Sequence, residues 1–331
     1  MNKRIKGESV KKMRIPRKIA IGFQEGVCQL KCNKCLIFGR DAKAKKKVDK
    51  MPLEKAKLLI DEIAEMKPTP IIQPCISGEP FTNSDLQEII IYCNERDIGM
   101  SIITNGILLD DQWIDFLIMN TNSKYTISFS LDAVTQETYE KVRGKYELAR
   151  IEKQIRKLIE KRAENGPRIT VNFTVEEDND KETLTFLEKW KYEVDGVRAT
   201  VGVDAERRVP IKYSKGIYNS EDVNKRCGYL DEVMAIDADG HVRACTFDVF
   251  GNTDFGNVFE MGVLAIWNSE KMITYRAMQA QGAFMQGNFC AGCEAGAGAM
   301  EHSRITDEFV INEGDYAVYY NLKDRYYLDL R

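Results

Sequence analysis

The chain has 331 residues, 30% of them charged and 44% hydrophobic, with a net charge of −3. This balance excludes a disordered chain and gives no basic excess that would call for a nucleic-acid partner, and apolar runs such as Leu86 to Cys93 fall far short of the roughly 20 residues a membrane span needs. Met1 to Lys18 holds eight Lys or Arg and one Glu with no apolar core behind it, which argues against a signal peptide and leads to the expectation of a cytoplasmic protein.

Residues 1–16 read as a basic arm, either solvated or meeting a phosphorylated substrate. Lys18 to Phe23 is a predicted strand. Pro52 to Met66 is a helix, with Pro in the first turn, apolar residues at 3–4 spacing and a Lys-Pro stop. Pro70 to Cys75 is a strand and Asp85 to Asp97 a helix closed by Gly99. The strand Met100 to Thr104 leads the helix Asp111 to Met119, and Tyr125 to Leu131 leads the helices Gln136 to Val142 and Ile151 to Glu164. Arg168 to Val175 leads Lys181 to Tyr192, and Val197 to Val203 ends the series. Six strand-led units predict an α/β fold with a parallel sheet, a partial (βα)6 TIM-like barrel over residues 17–220. From Glu221 the pattern changes to short β-like pieces, turns and one helix, Leu264 to Ala280. That change predicts a small α+β domain over residues 221–331. Lys43 to Lys47 reads as a solvated loop or an anion-binding patch. The aromatic-rich end of the chain (Phe309, Tyr316, Tyr319, Tyr320, Tyr326, Tyr327) reads as a closing strand or helix on the barrel, or as a substrate lid.

Nine cysteines stand against two histidines. An odd count without an export signal argues for metal or thiol chemistry rather than disulfides, and so few histidines leave little for His-based triads or His-rich zinc sites. Cys28-x3-Cys32-x2-Cys35 follows the first strand in a loop. Three thiolates so close can ligate three irons of a [4Fe–4S] cube and leave the fourth iron open; zinc is the alternative. Cys227, Cys245, Cys290 and Cys293 form a second set. Saturating every iron of a cube with these four would leave an electron relay without a substrate position, and structural zinc is again the alternative. Cys93 lies in an apolar helix and reads as core.

After the second predicted strand comes Ser77-Gly78-Glu79-Pro80, after the third Thr104-Asn105-Gly106, and the fourth ends in Ser130-Leu131-Asp132. These are the C-terminal strand ends where barrel active sites are built. A Cys-x3-Cys-x2-Cys loop followed by one such motif per strand resembles the radical S-adenosylmethionine (SAM) enzymes. The resemblance implies that the cluster on Cys28, Cys32 and Cys35 binds the amino and carboxylate groups of SAM. It further implies that Gly78, Glu79 and Pro80 receive the SAM ammonium, and that Thr104, Asn105, Ser130 and Asp132 hold its ribose and carboxylate. Arg143-Gly144 follows as in relatives with a C-terminal cluster domain. Two positions depart from the family: Lys34 stands where an aromatic residue precedes the third cysteine, and Ser77 where the first Gly of the ammonium motif stands. Adenine contacts are then expected from Phe38 or from Asn172 to Thr174.

The order Cys227-x12-Gly240-x4-Cys245, Gly256-Asn257, Trp267-Asn268, Arg276 and Cys290-x2-Cys293 resembles the SPASM and twitch domains of that superfamily. With no cysteine after Cys293, it implies one auxiliary cluster, as in the twitch domain of the butirosin aminocyclitol dehydrogenase type. Together the resemblances cover about residues 15–295 and imply an oxidoreductase or isomerase. Its cofactors would be SAM and two [4Fe–4S] clusters, one SAM-binding and one auxiliary, with an external reductant such as flavodoxin or ferredoxin. A 5′-deoxyadenosyl radical would abstract hydrogen, and the substrate would then be oxidised through the auxiliary cluster or epimerised with a hydrogen atom from Cys75, whose other reading is a small buried hydrophobe. The short segment before the first strand and the single auxiliary cluster favour a small molecule, a sugar or aminocyclitol. The alternatives are a peptide or protein side chain and, from another class, a non-catalytic iron–sulfur electron carrier or zinc-binding module.

Overall fold

The computed structural model describes residues 13–39, 42, 46–145, 147–202, 227–285, 288–291, 293, 302–314 and 317–325. Among them, no helix is long and apolar enough to cross a membrane. Six strand-led units follow in chain order: β1 (Lys18–Ile21), α1 (Leu53–Ala64), β2 (Ile71–Gln73), α2 (Leu86–Glu95), β3 (Ser101–Thr104), α3 (Asp111–Asn120), β4 (Thr126–Ser130), α4 (Gln136–Arg143), α5 (Leu148–Lys161), β5 (Arg168–Val175), α6 (Thr183–Trp190) and β6 (Gly196–Val201). Local chemistry starts and stops these helices. Asp110 caps α3 by accepting from Trp113 N, and Thr135 caps α4 by accepting from Thr138 N. α4 ends on Gly144 in the left-handed region. α2 ends earlier than the sequence suggests, because Asp97 takes the left-handed turn (φ 60) ahead of Gly99; a short polar side chain tolerates that conformation.

The six strands run parallel. β1 pairs with β2, while β3, β4, β5 and β6 pair in order. A single parallel bridge, Ile72 to Met100, joins β2 to β3. One face of the array is apolar: Ile19, Ile72, Ile102, Ile127, Val171 and Val197 are all fully buried. They pack against helix residues such as Ile60, Ile90, Leu117, Ile155 and Phe186 in one continuous core. With a side-chain period of two, the alternate residues face the other way, into the concave side of the sheet.

The C-terminal third occupies both edges of this array. It contains α7 (Gly228–Glu232), β7 (Val233–Ile236), β8 (Val242–Arg243), α8 (Val258–Met261), α9 (Val263–Trp267), α10 (Glu270–Ala280), β9 (His302–Ile305), β10 (Phe309–Gly314) and β11 (Ala317–Leu322). β7 adds parallel to β1, and β11, the last strand of an antiparallel meander, adds antiparallel to β6. β1 and β6 therefore each have a neighbour on both sides, and the six strands form an open, partial barrel. The aromatic end of the chain supplies the closing strand; Tyr316, Tyr326 and Tyr327 lie outside the described residues. The single helix predicted over Leu264 to Ala280 is two, because Ser269 starts a new one by accepting from Met272 N.

Asp195 staples the floor of the array. It is 1% exposed, accepts from Ile169 N (2.6 Å) and Arg162 Nη2 (2.8 Å), and stands 3.4 Å from Arg325 Nε. Its own carbonyl accepts from Leu322 N at 2.9 Å, so α5, β5, β6 and β11 meet on one residue. Asp195→Ala leaves the nearly buried Arg162 without its carboxylate, and a loss of about 3–5 kcal/mol is expected. Chemical denaturation of the apo protein checks it: the midpoint falls while the slope stays near wild type.

Candidate active site

The three N-terminal cysteines lie in the loop after β1, over the C-terminal ends of the strands. Each sulfur already accepts a hydrogen bond. Leu30 N (3.4 Å) and Asn105 Nδ2 (3.7 Å) donate to Cys28 Sγ, Arg143 Nη1 (3.5 Å) to Cys32 Sγ, and Phe38 N (3.3 Å) to Cys35 Sγ. Such donors stabilise thiolate character and tune iron–sulfur clusters. Without metal the charge is unfavourable: burial pushes the Cys28 thiol up to about 11, helped by Glu79 and by Cys32 and Cys35. Three thiols in one loop that receive donors and would repel one another as thiolates suit a cationic centre large enough to be shared among them.

The loop is pinned to the exit of β2 by backbone. Val27 bridges Gly78 in parallel, Glu79 N donates to Val27 O (2.9 Å), and Gly26 N donates to Ser77 O (2.9 Å). Gly78 is required here, because its φ is +152° and a Cβ would lie 2.7 Å from Val27 O. Glu79 is 4% exposed. Its carboxylate accepts from Thr104 Oγ1 (2.6 Å), Asn105 N (2.8 Å) and Phe81 N (3.2 Å). Burial raises its pKa and these donors oppose the rise. Pro80 begins a buried one-turn helix, Pro80–Thr82, for which Glu79 is the cap. Gly78, Glu79, Pro80, Thr104 and Asn105 are thus brought together around one carboxylate, beside Cys28.

Ser130 lies on the concave side of β4, half-buried. Asp132 has a different setting: it is 0% exposed and holds φ +58°. Its carboxylate binds Arg143 Nη2 (2.6 Å), Thr174 N (2.6 Å) and Lys34 Nζ, which also stands 3.5 Å from Glu176. Despite full burial its pKa is lowered, because Arg143 and Lys34 outweigh desolvation. Lys34, at the family's aromatic position, therefore ties the cysteine loop to the ends of β4 and β5.

Cys75 lies two residues beyond the end of β2 rather than on it. It is 8% exposed, and burial pushes its thiol well above the ordinary range, with Glu79, Glu25 and Cys28 adding to the shift. Cys93 is fully buried in α2, as expected of core. Glu25 carried no sequence signal. It is 2% exposed and accepts from Ser77 Oγ (2.8 Å), Lys46 Nζ (2.8 Å) and Ala238 N (3.1 Å). Lys46, from the run read as a solvated loop or anion patch, is instead a half-buried link that also reaches Asp237 (3.6 Å); Lys43 and Lys45 lie outside the described residues.

Cys227, Cys245, Cys290 and Cys293 line one pocket of about 450 Å³, including its open mouth, with Tyr229, Phe247 and Gln279 among the walls. α10 holds it together. Gln279 Oε1 accepts from Cys227 N (2.9 Å) and Tyr275 OH donates to Cys290 Sγ (3.2 Å). Arg276 is fixed by the carbonyls of Leu230 and Trp267. Burial pushes the Cys290 thiol up to about 12 and Cys245 well above the ordinary range. Four soft donors facing a shared space fit an iron–sulfur cluster. Among the described residues, no three Cys, His, Asp or Glu groups gather around a point as a single ion would need.

A family model described as radical SAM superfamily matches residues 26–187, and one described as an iron–sulfur cluster-binding (SPASM) domain matches residues 227–294. The chain belongs to the radical SAM superfamily. Its cofactors are accordingly SAM, a SAM-binding [4Fe–4S] cluster and an auxiliary cluster in the SPASM domain. Curated relatives include the Fe-coproporphyrin III synthase of Methanosarcina barkeri (strain Fusaro / DSM 804), 32% identical over 117 residues, 35% of this chain and 27% of that protein. The AdoMet-dependent heme synthase of the same organism is 31% identical over 131 residues, 39% of this chain and 35% of that protein. The matched part thus spans about a third or less of these relatives. Among solved structures, BtrN in complex with AdoMet and 2-DOIA is similar over 85% of this chain and 94% of its own, with 16% identity and a TM-score of 0.57. Streptococcus suis SuiB bound to the precursor peptide SuiA gives 85% and 70%, 16% identity and a TM-score of 0.60. Native anSMEcpe with bound AdoMet gives 85% and 90%, 14% identity and a TM-score of 0.63. At such identities the likeness is one of fold.

Thr104→Val removes a donor from a buried carboxylate while keeping the side-chain shape. A charge-assisted hydrogen bond of this kind contributes about 1.5–3 kcal/mol, so SAM affinity of the reconstituted protein is expected to fall roughly tenfold or more. Equilibrium dialysis with labelled SAM measures it, with iron content as the control for an intact cluster.

Proposed function

We propose that this radical SAM enzyme takes hydrogen from a small polar molecule, a sugar or aminocyclitol, held on the concave side of the sheet. The composition of that side supports this most directly. Gln73, Ser128, Ser130, Thr170, Asn172 and Thr174 alternate with helix-facing apolar residues, and Ser128 Oγ and Thr170 Oγ1 already meet at 2.6 Å. Short hydroxyls and amides suit a ligand rich in hydroxyl and amino groups.

When bound, SAM and the reduced cluster on Cys28, Cys32 and Cys35 supply a 5′-deoxyadenosyl radical as the hydrogen-abstracting agent. The proposed work of the chain is to position and shield. Glu79, held by Thr104 and Asn105, accepts the SAM ammonium; Gly78 and Pro80 fix its approach; Ser130 adds a hydroxyl on the same side. Asp132 acts through Arg143 and Lys34. Cys227, Cys245, Cys290 and Cys293 hold the auxiliary cluster, an electron acceptor if the net reaction is oxidation. Cys75, whose burial favours the protonated thiol, is the proposed hydrogen donor if the net reaction is epimerisation. A flavodoxin or ferredoxin in the cytoplasm is the proposed reductant.

A second reading is a larger substrate. The curated relatives are named for haem and Fe-coproporphyrin III synthesis, and SuiB is bound to a precursor peptide. A non-catalytic electron carrier or zinc module has no evident use for a buried carboxylate with three donors beside the cysteine loop.

Anaerobic reconstitution followed by SAM and dithionite is expected to yield 5′-deoxyadenosine; no yield above a Cys28→Ala control sinks the enzyme reading. Once a substrate is found, a Cys290→Ala/Cys293→Ala double variant that folds is expected to lose most oxidised product while still cleaving some SAM. Cys75→Ala is expected to divert the radical if the outcome is epimerisation, and undiminished turnover returns Cys75 to the core.

A further inference from the structure

The concave side carries two cations that no carboxylate among the described residues neutralises. Arg198 of β6 stands opposite Asn172 of β5 on one side and Tyr319 of β11 on the other. Asn172 in turn stands opposite Ser130 of β4. Because the residues between them (Phe129, Val171, Val197) are fully buried against helices, these four form one polar row across four strands. The next row down is tighter. Ser128, Thr170, Gly196 and Asn321 are in register, and a Cβ on Gly196 would lie 2.8 Å from Tyr319 OH and 3.1 Å from both Arg168 Nη2 and Asn321 Oδ1. The glycine makes room for the Tyr319 hydroxyl and the Arg168 guanidinium to meet, at 3.5 Å.

Arg168 is 5% exposed and Asn321 0%. Among the described residues, neither arginine has a carboxylate partner, while Arg168 Nε, Arg198 Nε and both amide atoms of Asn321 are buried without any hydrogen bond. Two other enclosed arginines are paired with carboxylates, Arg162 with Asp195 and Arg143 with Asp132, and the buried Arg276 donates to two backbone carbonyls. An unpaired guanidinium taken from water is costly, and unsatisfied polar atoms beside it add to the cost. Such a group persists where a ligand completes it, and a planar fork of N–H donors fits carboxylate or phosphate.

We propose that Arg198, with Arg168, Tyr319 and Asn321 beneath it, forms an anion pocket that holds a carboxylate or phosphate group of the substrate. This deepens the reading of a polar substrate on the concave side and rests on it. Arg198 also lies within electrostatic reach of Tyr229, a wall of the auxiliary pocket, so an anion held on Arg198 would lie on the side of the sheet toward that pocket.

The test uses the full chain, anaerobically reconstituted and saturated with SAM, titrated with inorganic phosphate and separately with acetate at constant ionic strength. Thermal melting of wild type, Arg198→Gln and Arg198→Lys is followed, and SAM affinity is measured in parallel. The expected result is a saturable rise in wild-type Tm with at least one anion. In Arg198→Gln the apparent anion affinity drops at least tenfold, SAM affinity is kept, and melting without anion is at or above wild type. Which anion binds distinguishes a phosphorylated from a carboxylated substrate. An equal anion response in wild type and Arg198→Gln, or none in either, overturns the pocket. So does Arg198→Gln melting several degrees lower without anion and rescued by Lys, which marks a structural cation. A tenfold loss of SAM affinity also overturns it, because Arg198 would then serve SAM's own carboxylate. None of these outcomes bears on 5′-deoxyadenosine formation by the wild type, which tests the wider reading separately.

Discussion

The parallel bridge between Val27 and Gly78 is the contact on which the site depends. It lays the cysteine loop against the exit of β2, so that Cys28 and Glu79 share one neighbourhood. A soft-metal ligand and a hard buried carboxylate have opposite demands. The sulfurs need a cationic centre and N–H donors, whereas the carboxylate needs donors of its own to stay charged out of water. Thr104 and Asn105 meet both: the first donates to Glu79, and the second gives its backbone N–H to Glu79 and its side-chain amide to Cys28. One strand end therefore adjusts the two groups together.

An open array of six parallel strands has two unprotected edges, each a row of unpaired backbone groups. The C-terminal third covers both, β7 on β1 and β11 on β6. This geometric debt of the barrel also orients the auxiliary pocket. Cys227 precedes β7 by one short helix and Cys245 follows β8, so both flank strands whose position is set by β1. Glu25 reinforces the link, since it joins Ser77 on the barrel side to Ala238 and, through Lys46, to Asp237 on the other.

The strands and helices of the barrel were legible because each buries one face, which writes a period of 2 or 3.6 into the sequence; Arg168 to Val175 matches its prediction at both ends. The cysteine sets were legible because ligand chemistry restricts residue type and spacing. What escaped depends on partners distant in sequence. Glu25 is an ordinary acidic residue until Ser77, Lys46 and Ala238 converge on it. Asp132 was legible as a motif residue, but its enclosure by Arg143, Lys34 and Thr174 N was not. Arg198 looks like any polar residue of a half-buried strand; only the register of β5, β6 and β11 shows that its strand neighbours are Asn172 and Tyr319 and not carboxylates. Edge pairing was similarly hidden, because a hydrophobic pattern states which face of a strand is buried and not which neighbour it takes.

Charge is distributed unevenly with depth in this concave space. At the strand ends, near the cysteine loop, cations and carboxylates are matched: Arg143 and Lys34 share Asp132, and Lys34 also approaches Glu176. Lys34 therefore adds little field of its own there, although it replaces an aromatic residue with a charge. Further down, Arg198 and Arg168 are unmatched among the described residues. Paired charges contribute mainly short-range dipoles, whereas unpaired ones between low-dielectric walls project a field toward the opening. A ligand with one anionic end and a polar body would thus enter past a nearly neutral rim and be turned anion-first toward β6. Its body would then lie along Asn172 and Ser130, back toward the cysteine loop. Orientation of this kind comes from the placement of carboxylates as much as from the arginines: among the described residues, those beside Arg143 and Arg162 leave Arg198 and Arg168 as cations an incoming anion can meet.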